Sequence, residues 1–439
     1  MSAKSIWLGL AGLWVLAMAA GAVFLLMPER QAPGLAANGV EAADTTASEL
    51  SEPLEAGAPS HEVLPTPVEF PEPETETTAE EADEGTNNDS TVKRVEDANP
   101  VSTRPDAAVS ADKTVTETGT ALHSVEVAQG GRLTLPSGEV NVDGDWTNLG
   151  TVTAAGTTLV FDGADQTISG NTTAKKIILR GGTKRIRGGT LGSNGSGNAE
   201  PGDAGLYVEA GTTLIIEEGG KWNTPNPYGF QIAGSLVIDG GEFTCRFSNG
   251  NGTDRGEESW LPGSELTIYR GKFIGSGDAD FSGATITIHD GALEINDDIW
   301  DTGEVLNMYG GTMRNATRGG MFFMTGAVNI TGGELQVYQN SSRSLRIHAE
   351  ASVYCTGGEI SINGQAIRTS SGGIMLGSSA TVGNLKINTS TRISSDSTEG
   401  AYLSVGGDFE IAKGQKFEAA GHQVIAIIPT GEDQGEFIP

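Results

Sequence analysis

Three groups of side chains in this 439-residue chain have types that could do chemistry. The first is rich in carboxylates: Asp297, Asp298 and Asp301 surround Trp300, and Asp278 and Asp280 precede Phe281. Oxygen ligands of this kind suit a hard cation such as Ca²⁺. The second is Arg346 with His348, which alternate on one stretch. The third is Tyr269, His289 and Tyr309, spaced 20 residues apart. Planar rings at a fixed interval can face sugar rings, although such ladders more often stabilise adjacent strands. None of these spacings is one that a reaction demands, and acidic residues in turns are ordinarily solvated. No catalytic residue is therefore assigned. Asp297, Asp298 and Asp301 stand as candidate Ca²⁺ ligands, and Tyr269, His289 and Tyr309 as a candidate glycan stripe. No cofactor other than Ca²⁺ is expected.

Composition narrows the partners. Lys plus Arg number 27 against 57 Asp plus Glu, a net charge of −30. A nucleic-acid partner is not expected, because phosphate binding needs a basic face that displaces counterions. Glycine is abundant, at 63 residues, which disfavours long helices. Cys245 and Cys355 are the only cysteines, too few for a disulfide framework.

The chain changes character along its length. Ile6 to Met27 is a run of 22 residues without a charge. That length spans a hydrocarbon core of about 30 Å as a helix. It exceeds the apolar stretch of about 7–15 residues usual in a signal peptide. Residues 1–27 therefore read as a single-pass membrane anchor, with a cleaved signal peptide as the alternative. Lys4 before the run and acidic residues after it place the bulk of the chain outside the cytoplasm. Residues 28–120 are rich in Pro, Glu, Thr, Ala and Ser, with 21 acidic and 5 basic side chains. Such a segment buries too little apolar surface to offset its ordering entropy, so it reads as a disordered linker.

From about residue 210 a template recurs: alternating apolar residues, Gly-Gly or a variant, then alternating apolar residues again. Examples are Ser235-Leu236-Val237-Ile238-Asp239-Gly240-Gly241-Glu242-Phe243 and Val328-Asn329-Ile330-Thr331-Gly332-Gly333-Glu334-Leu335. The second glycines fall at 220, 241, 271, 291, 311, 333, 358 and 407, with a degenerate copy near Gly383-Asn384. Steps of 20–25 residues with period-2 apolarity describe one coil of a β-solenoid, about three short strands long. The 30-residue step carries a loop insertion, Ser248 to Gly263. Counted from the second glycine, positions −5, −3, +2 and +4 are inward. Cys355 falls at −3 and Cys245 at +4, so both read as core residues. They lie five coils apart, roughly 24 Å at about 4.8 Å per stacked strand, beyond disulfide reach. Position −2 is outward and holds Asp239, Tyr269, His289, Tyr309, Thr331 and Thr356. This places the three rings in one column, beside Thr267, Thr287, Asn307 and Asn329.

An earlier stretch is related. Asp145-Trp146-Thr147-Asn148-Leu149-Gly150-Thr151 leads to Val160-Phe161-Asp162-Gly163-Ala164-Asp165-Gln166-Thr167-Ile168-Ser169-Gly170. It resembles segments of exported bacterial surface proteins with β-helical passengers. The later Val-Asn-Ile-Thr-Gly-Gly-Glu-Leu copies resemble pectin-lyase-like right-handed β-helix repeats. The resemblance covers residues 121–428 and implies an all-β, right-handed parallel β-helix. Residues 429–439 are left as an acidic tail. Polysaccharide lyases of that superfamily set a Lys or Arg beside carboxylates, often with Ca²⁺, but the resemblance carries no catalytic motif here. It implies a bacterial envelope setting: inner membrane, single-pass, with the C-terminal domain periplasmic, or exported to the surface if the N-terminus is cleaved.

The expected function is a non-enzymatic scaffold, a tethered rod that partners the inner membrane through its N-terminal helix. It reads as self-assembling into a homo-polymer unless Pro429 and the tail block its open end. Alternatives are a module that binds envelope polysaccharide, and a polysaccharide lyase or hydrolase.

Overall fold

The computed structural model describes residues 103–195, 204–224, 229–247, 259–315, 319–428 and 430–439. The expected membrane anchor, linker residues 28–102, most of the inserted loop and Pro429 lie outside them. Among the described residues no helix is long and apolar enough to cross a membrane.

The described chain is all-β, a parallel β-solenoid of the right-handed type with about 14 turns. Its strands stack in three ranks. One rank runs from Ala107–Val109 through Ala284–Ile288 and Val305–Met308 to Gln423–Ile425. The second runs from Asp112–Thr114 through Ala292–Ile295 and Thr312–Asn315 to Phe409–Ile411. The third runs from Thr120–Leu122 through Leu206–Val208 and Ile299–Asp301 to Glu436–Ile438. Pairing between these strands is parallel throughout. Longer strands turn a corner and serve two ranks. Within Ser264–Ser276, for example, Ile268 pairs with Ile288 and Phe273 with Leu293.

Alternation along each strand fills the core. Leu236, Ile238, Phe243 and Cys245, at positions −5, −3, +2 and +4 of one coil, are all buried, as are Ile286, Ile288, Leu293 and Ile295 of another. Cys355 pairs in register with Ile330, and Cys245 with Gly275. Both cysteines are free and buried. Burial pushes the Cys355 thiol up to about 11 and that of Cys245 well above its ordinary value, so neither is a ready nucleophile. The degenerate copy is a full coil, with Asn384–Ile387 pairing with residues 359–362.

Trp260, inside the stretch read as an insertion, bridges to Ile232 and takes a place in the third rank. Six aromatic residues pack together in the core of these coils: Phe230, Phe243, Phe247, Trp260, Phe273 and Phe281. Phe243 and Phe273 stack at 5.1 Å and 12°, and Phe230 meets Phe243 edge-on at 5.4 Å.

Earlier coils turn their corners differently. Gln166 accepts the Gly163 N–H at 2.9 Å and donates to the Val142 carbonyl at 2.9 Å and to that of Gly144. On the next coil Lys184 stands in register with Gln166 and is fully buried. Its Nζ donates to the Gly163 and Gly181 carbonyls. Burial lowers the Lys184 pKa to about 8, against the pull of Asp165 and Asp162. The Gly-x-x-Gln segment is thus a corner brace. Gly182 closes the same corner at φ +54°, where a Cβ would lie 1.4 Å from the Ala164 carbonyl oxygen.

Two boundaries differ from the sequence expectation. Among the described residues strands begin at Ala107, not 121, because Ala107 and Val109 pair with Val125 and Val127 and are buried. Arg104 staples this first turn, reaching Asp162 at 2.7 Å and Asp143 at 3.2 Å. At the other end, part of the tail is structural. Glu436–Ile438 pairs with Lys416–Glu418, and Phe437 stacks on Phe417 at 6.1 Å.

Phe273 touches four of the other five rings at centroid distances of 6.3 Å or less. Phe273→Ala should therefore cost about 3–5 kcal/mol in urea unfolding. A cost below about 1 kcal/mol would mean that this cluster does not hold the loop-bearing coil.

Candidate functional site

The stripe residues come together as a ladder. Ile268, Ile288 and Met308 pair in register facing inward, which turns Tyr269, His289 and Tyr309 outward on adjacent coils. Tyr269 and His289 stack at 4.7 Å and 14°, His289 and Tyr309 at 5.2 Å and 25°. The tyrosines are 50% and 56% exposed. Stacking takes up the inner ring faces, leaving ring edges, two hydroxyls and an imidazole directed to solvent. In the neighbouring column Asn329 Nδ2 donates to Asn307 Oδ1 at 3.0 Å. The ladder does not extend down to Asp239 as the repeat implied. Register slips by one residue there, so Asp239 pairs with Arg270 and binds its guanidinium at 2.7 Å. Tyr354, 62% exposed, pairs with Asn329 and adds an aromatic ring to the neighbouring column. Its alternation with Val353 and Cys355 was the signal for it in the sequence.

The carboxylates are grouped differently from the sequence reading. Oxygen atoms of Asp278, Asp297 and Asp298 lie within 4.8 Å of one another. Asp301 is not among them. It shares the buried parity of Ile299 and pairs with Asp280 one coil below. Consecutive coils thus make two clusters from what looked like one.

The first cluster is tied to its surroundings. Asp298 is buried, accepts the Gly320 N–H, and binds Arg343 Nη1 at 2.7 Å. Burial raises its pKa in spite of these partners. Burial also raises Asp278, helped by the Asp297 charge and opposed by a hydrogen bond from Trp300. Trp300 stacks on Phe322 at 4.6 Å. Arg343 lies 5.2 Å over the Trp300 ring, and Arg346 lies 5.5 Å over Phe322. Burial and the Arg346 charge lower the pKa of His348. Ca²⁺ takes about six to eight oxygen ligands. Three carboxylates, one already bound to a guanidinium, supply only part of such a shell, so most ligands would have to come from water or elsewhere.

The second cluster is closed. Asp280 and Asp301 are 6% and 5% exposed. Asp301 accepts from Gly303 N at 3.2 Å and Thr325 Oγ1 at 3.4 Å, and Asp280 from Ser282 N at 2.8 Å. Burial first, then the Asp280 charge, pushes Asp301 up to about 6.

No protein-family model matches the chain, and neither the curated proteins nor the solved structures include a match.

The raised Asp301 pKa sets a pH dependence. The folded state binds this proton more tightly than the unfolded chain, whose carboxyl titrates near 3.9. The contribution is fully present below that value and is lost as pH rises through about 6. Asp301→Asn keeps an acceptor for Gly303 and removes the buried charge. It should stabilise the protein by about 2 kcal/mol at pH 7.5 and change little at pH 4. Urea unfolding at the two pH values measures this, and equal effects at both would refute the assignment.

Proposed function

We propose that this chain is a non-enzymatic structural protein of a bacterial cell envelope. In this reading it is a rod of the pectin-lyase-like β-helix type, tethered in the inner membrane by its N-terminal apolar run, with the solenoid in the periplasm. The acidic linker spaces the rod from the membrane.

The observation that carries the reading is the continuity of the three ranks over about 14 turns, roughly 65 Å at about 4.8 Å per turn. Where polar groups converge, they are engaged with neighbouring coils: Asp298 with Arg343 and Gly320, Gln166 and Lys184 with corner carbonyls. Outward charges behave alike, as Glu294 binds Arg314 at 2.8 Å and Lys272 at 3.8 Å on flanking coils. Catalysis needs groups held ready for a substrate, and these groups already hold the rod.

A second reading, recognition of envelope polysaccharide, is favoured by the exposed ladder Tyr269, His289 and Tyr309. Its hydroxyls and the adjacent Asn and Thr side chains suit hydrogen bonding to sugar hydroxyls.

Incubation of the full chain with a panel of acidic and cell-wall polysaccharides tests the first reading. No unsaturated product and no new reducing ends are expected. Turnover that disappears in both Asp278→Asn and Asp297→Asn would replace it with a lyase or hydrolase. Affinity electrophoresis in the same glycans tests the second reading. Retardation should fall at least about fivefold in Tyr269→Ala/Tyr309→Ala, given about 0.5–1.5 kcal/mol for each aromatic contact. Equal retardation of wild type and variant would remove the ladder from recognition.

A further inference from the structure

The outward faces of the ranks differ in charge. In the second rank Lys272, Glu294 and Arg314 alternate in sign and pair across successive coils, at 3.8 Å and 2.8 Å. In the first rank no outward strand residue is charged from Thr285, on Ala284–Ile288, to Ser404, on Tyr402–Val405. All are Thr, Val, Asn, Ala, Ser or Tyr. His289, Tyr309, Thr331 and Thr356 continue this face past the strand ends. Exposed Asp290, Glu304 and Glu350 border it. Arg270, at its lower end, is bound to Asp239 at 2.7 Å. Within the face, His289 fills the gap between Tyr269 and Tyr309, two coils apart, at 4.7 Å and 5.2 Å from them. Above Tyr309 the next coil presents exposed Asn329 and Thr331, and the coil after that presents Tyr354, one column aside. Tyr309 and Tyr354 thus also stand two coils apart, roughly 9.6 Å along the axis at about 4.8 Å per coil. The side chains between them, Asn329 and Thr331, carry no ring.

We propose that the slot between Tyr309 and Tyr354 is a subsite for one sugar ring of an uncharged polysaccharide, whose chain lies along this face. The inference rests on the polysaccharide reading; it names the charge of the ligand and the place of one sugar. The sugar takes in this slot the place that His289 takes in the lower one. Its C–H face packs on the outer face of Tyr309, where no ring of the protein lies, and Tyr354 closes the other side. Asn329 donates to Asn307 at 3.0 Å, which leaves an acceptor on Asn329 and donors on Asn307 for sugar hydroxyls. Charge selects the class of ligand. A uronate or sulfated chain would bring anions against Asp290, Glu304 and Glu350, with no Lys or Arg in the face to receive them, on a protein of net charge −30. A second copy of the protein would appose the same acids. A neutral chain meets only hydroxyls, amides and rings, and avoids that cost.

The test is affinity electrophoresis of the full chain in non-ionic detergent. Two gels hold neutral polymers, galactomannan and hydroxyethyl cellulose, and two hold acidic ones, polygalacturonate and hyaluronate. Wild type should be retarded in a neutral gel and run freely in both acidic gels. Thr331→Tyr sets a ring in the slot and should abolish the retardation. Tyr354→Ala leaves the Tyr269, His289 and Tyr309 ladder intact and should weaken the retardation at least about twofold. Both positions are exposed, so the variants should fold, and their thermal transitions are recorded as a check. Retardation as strong in the acidic gels as in the neutral ones would overturn the proposal while leaving polysaccharide recognition standing. Retardation unchanged in both variants would also overturn it, and loss in Tyr269→Ala/Tyr309→Ala would then keep recognition on the ladder alone. No retardation in any gel would overturn both the subsite and the polysaccharide reading.

Discussion

Each strand's backbone hydrogen bonds are completed by the coil before and the coil after it, and the rest of the structure follows from that requirement. A parallel strand cannot be satisfied by a tight hairpin; its partner must return after a full circuit. Among the described residues the circuit is as short as 18 residues, from Ala107 to Val125, and as long as 31, from Gly189 to Gly220. Variation in circuit length is absorbed at corners and loops. Register within the strands is conserved, because a one-residue slip would turn every inward side chain to solvent. Slips occur in several coils; after Ile216, Ile238 and Phe323, for example, they fall at a corner and the inward residues on either side remain aligned.

The same requirement explains the buried polar groups. Corners expose carbonyls that no strand can reach, and side chains supply what the backbone lacks. Gln166 and Lys184 do so in the early coils. Asn315, at an inward position, donates to the Tyr338 carbonyl at 3.0 Å and accepts the Tyr338 N–H at 2.8 Å. It thus carries the pairing around a bend. Asp280 and Asp301 are the costly case, two carboxylates brought together in a closed corner by coil stacking. Stacking also creates the outward columns, including the aromatic ladder, because identical positions on successive coils are necessarily neighbours.

Much of this was legible in the sequence because period-2 alternation anchored on Gly-Gly fixes which residues share a column. The inward placement of Cys245 and Cys355 and the adjacency of Tyr269, His289 and Tyr309 follow from counting. The parts that were not legible have identifiable causes. Arg104 to Leu122 lacks the glycine anchor and forms strands of three residues, so nothing local marks it. The terminal strand depends on one aromatic residue, Phe437, amid charged neighbours. The carboxylates were grouped by sequence proximity, whereas alternation around Trp300 sends Asp298 and Asp301 to different corners. Asp278 joins Asp297 and Asp298 only through the stacking of one coil on the next.

The central claim is the parallel, in-register stack, and engineered cysteines test it most directly. Thr287 and Asn307 pair in register on adjacent coils, in an outward column. Cα atoms of neighbouring strands lie about 4.8 Å apart, within the range that a disulfide spans. Thr287→Cys/Asn307→Cys should therefore form an intrachain disulfide on mild oxidation, identified by peptide mass spectrometry. A control pair displaced by two residues, Thr285→Cys/Asn307→Cys, should stay reduced. A disulfide in the displaced pair and none in the registered pair would contradict the stack described here.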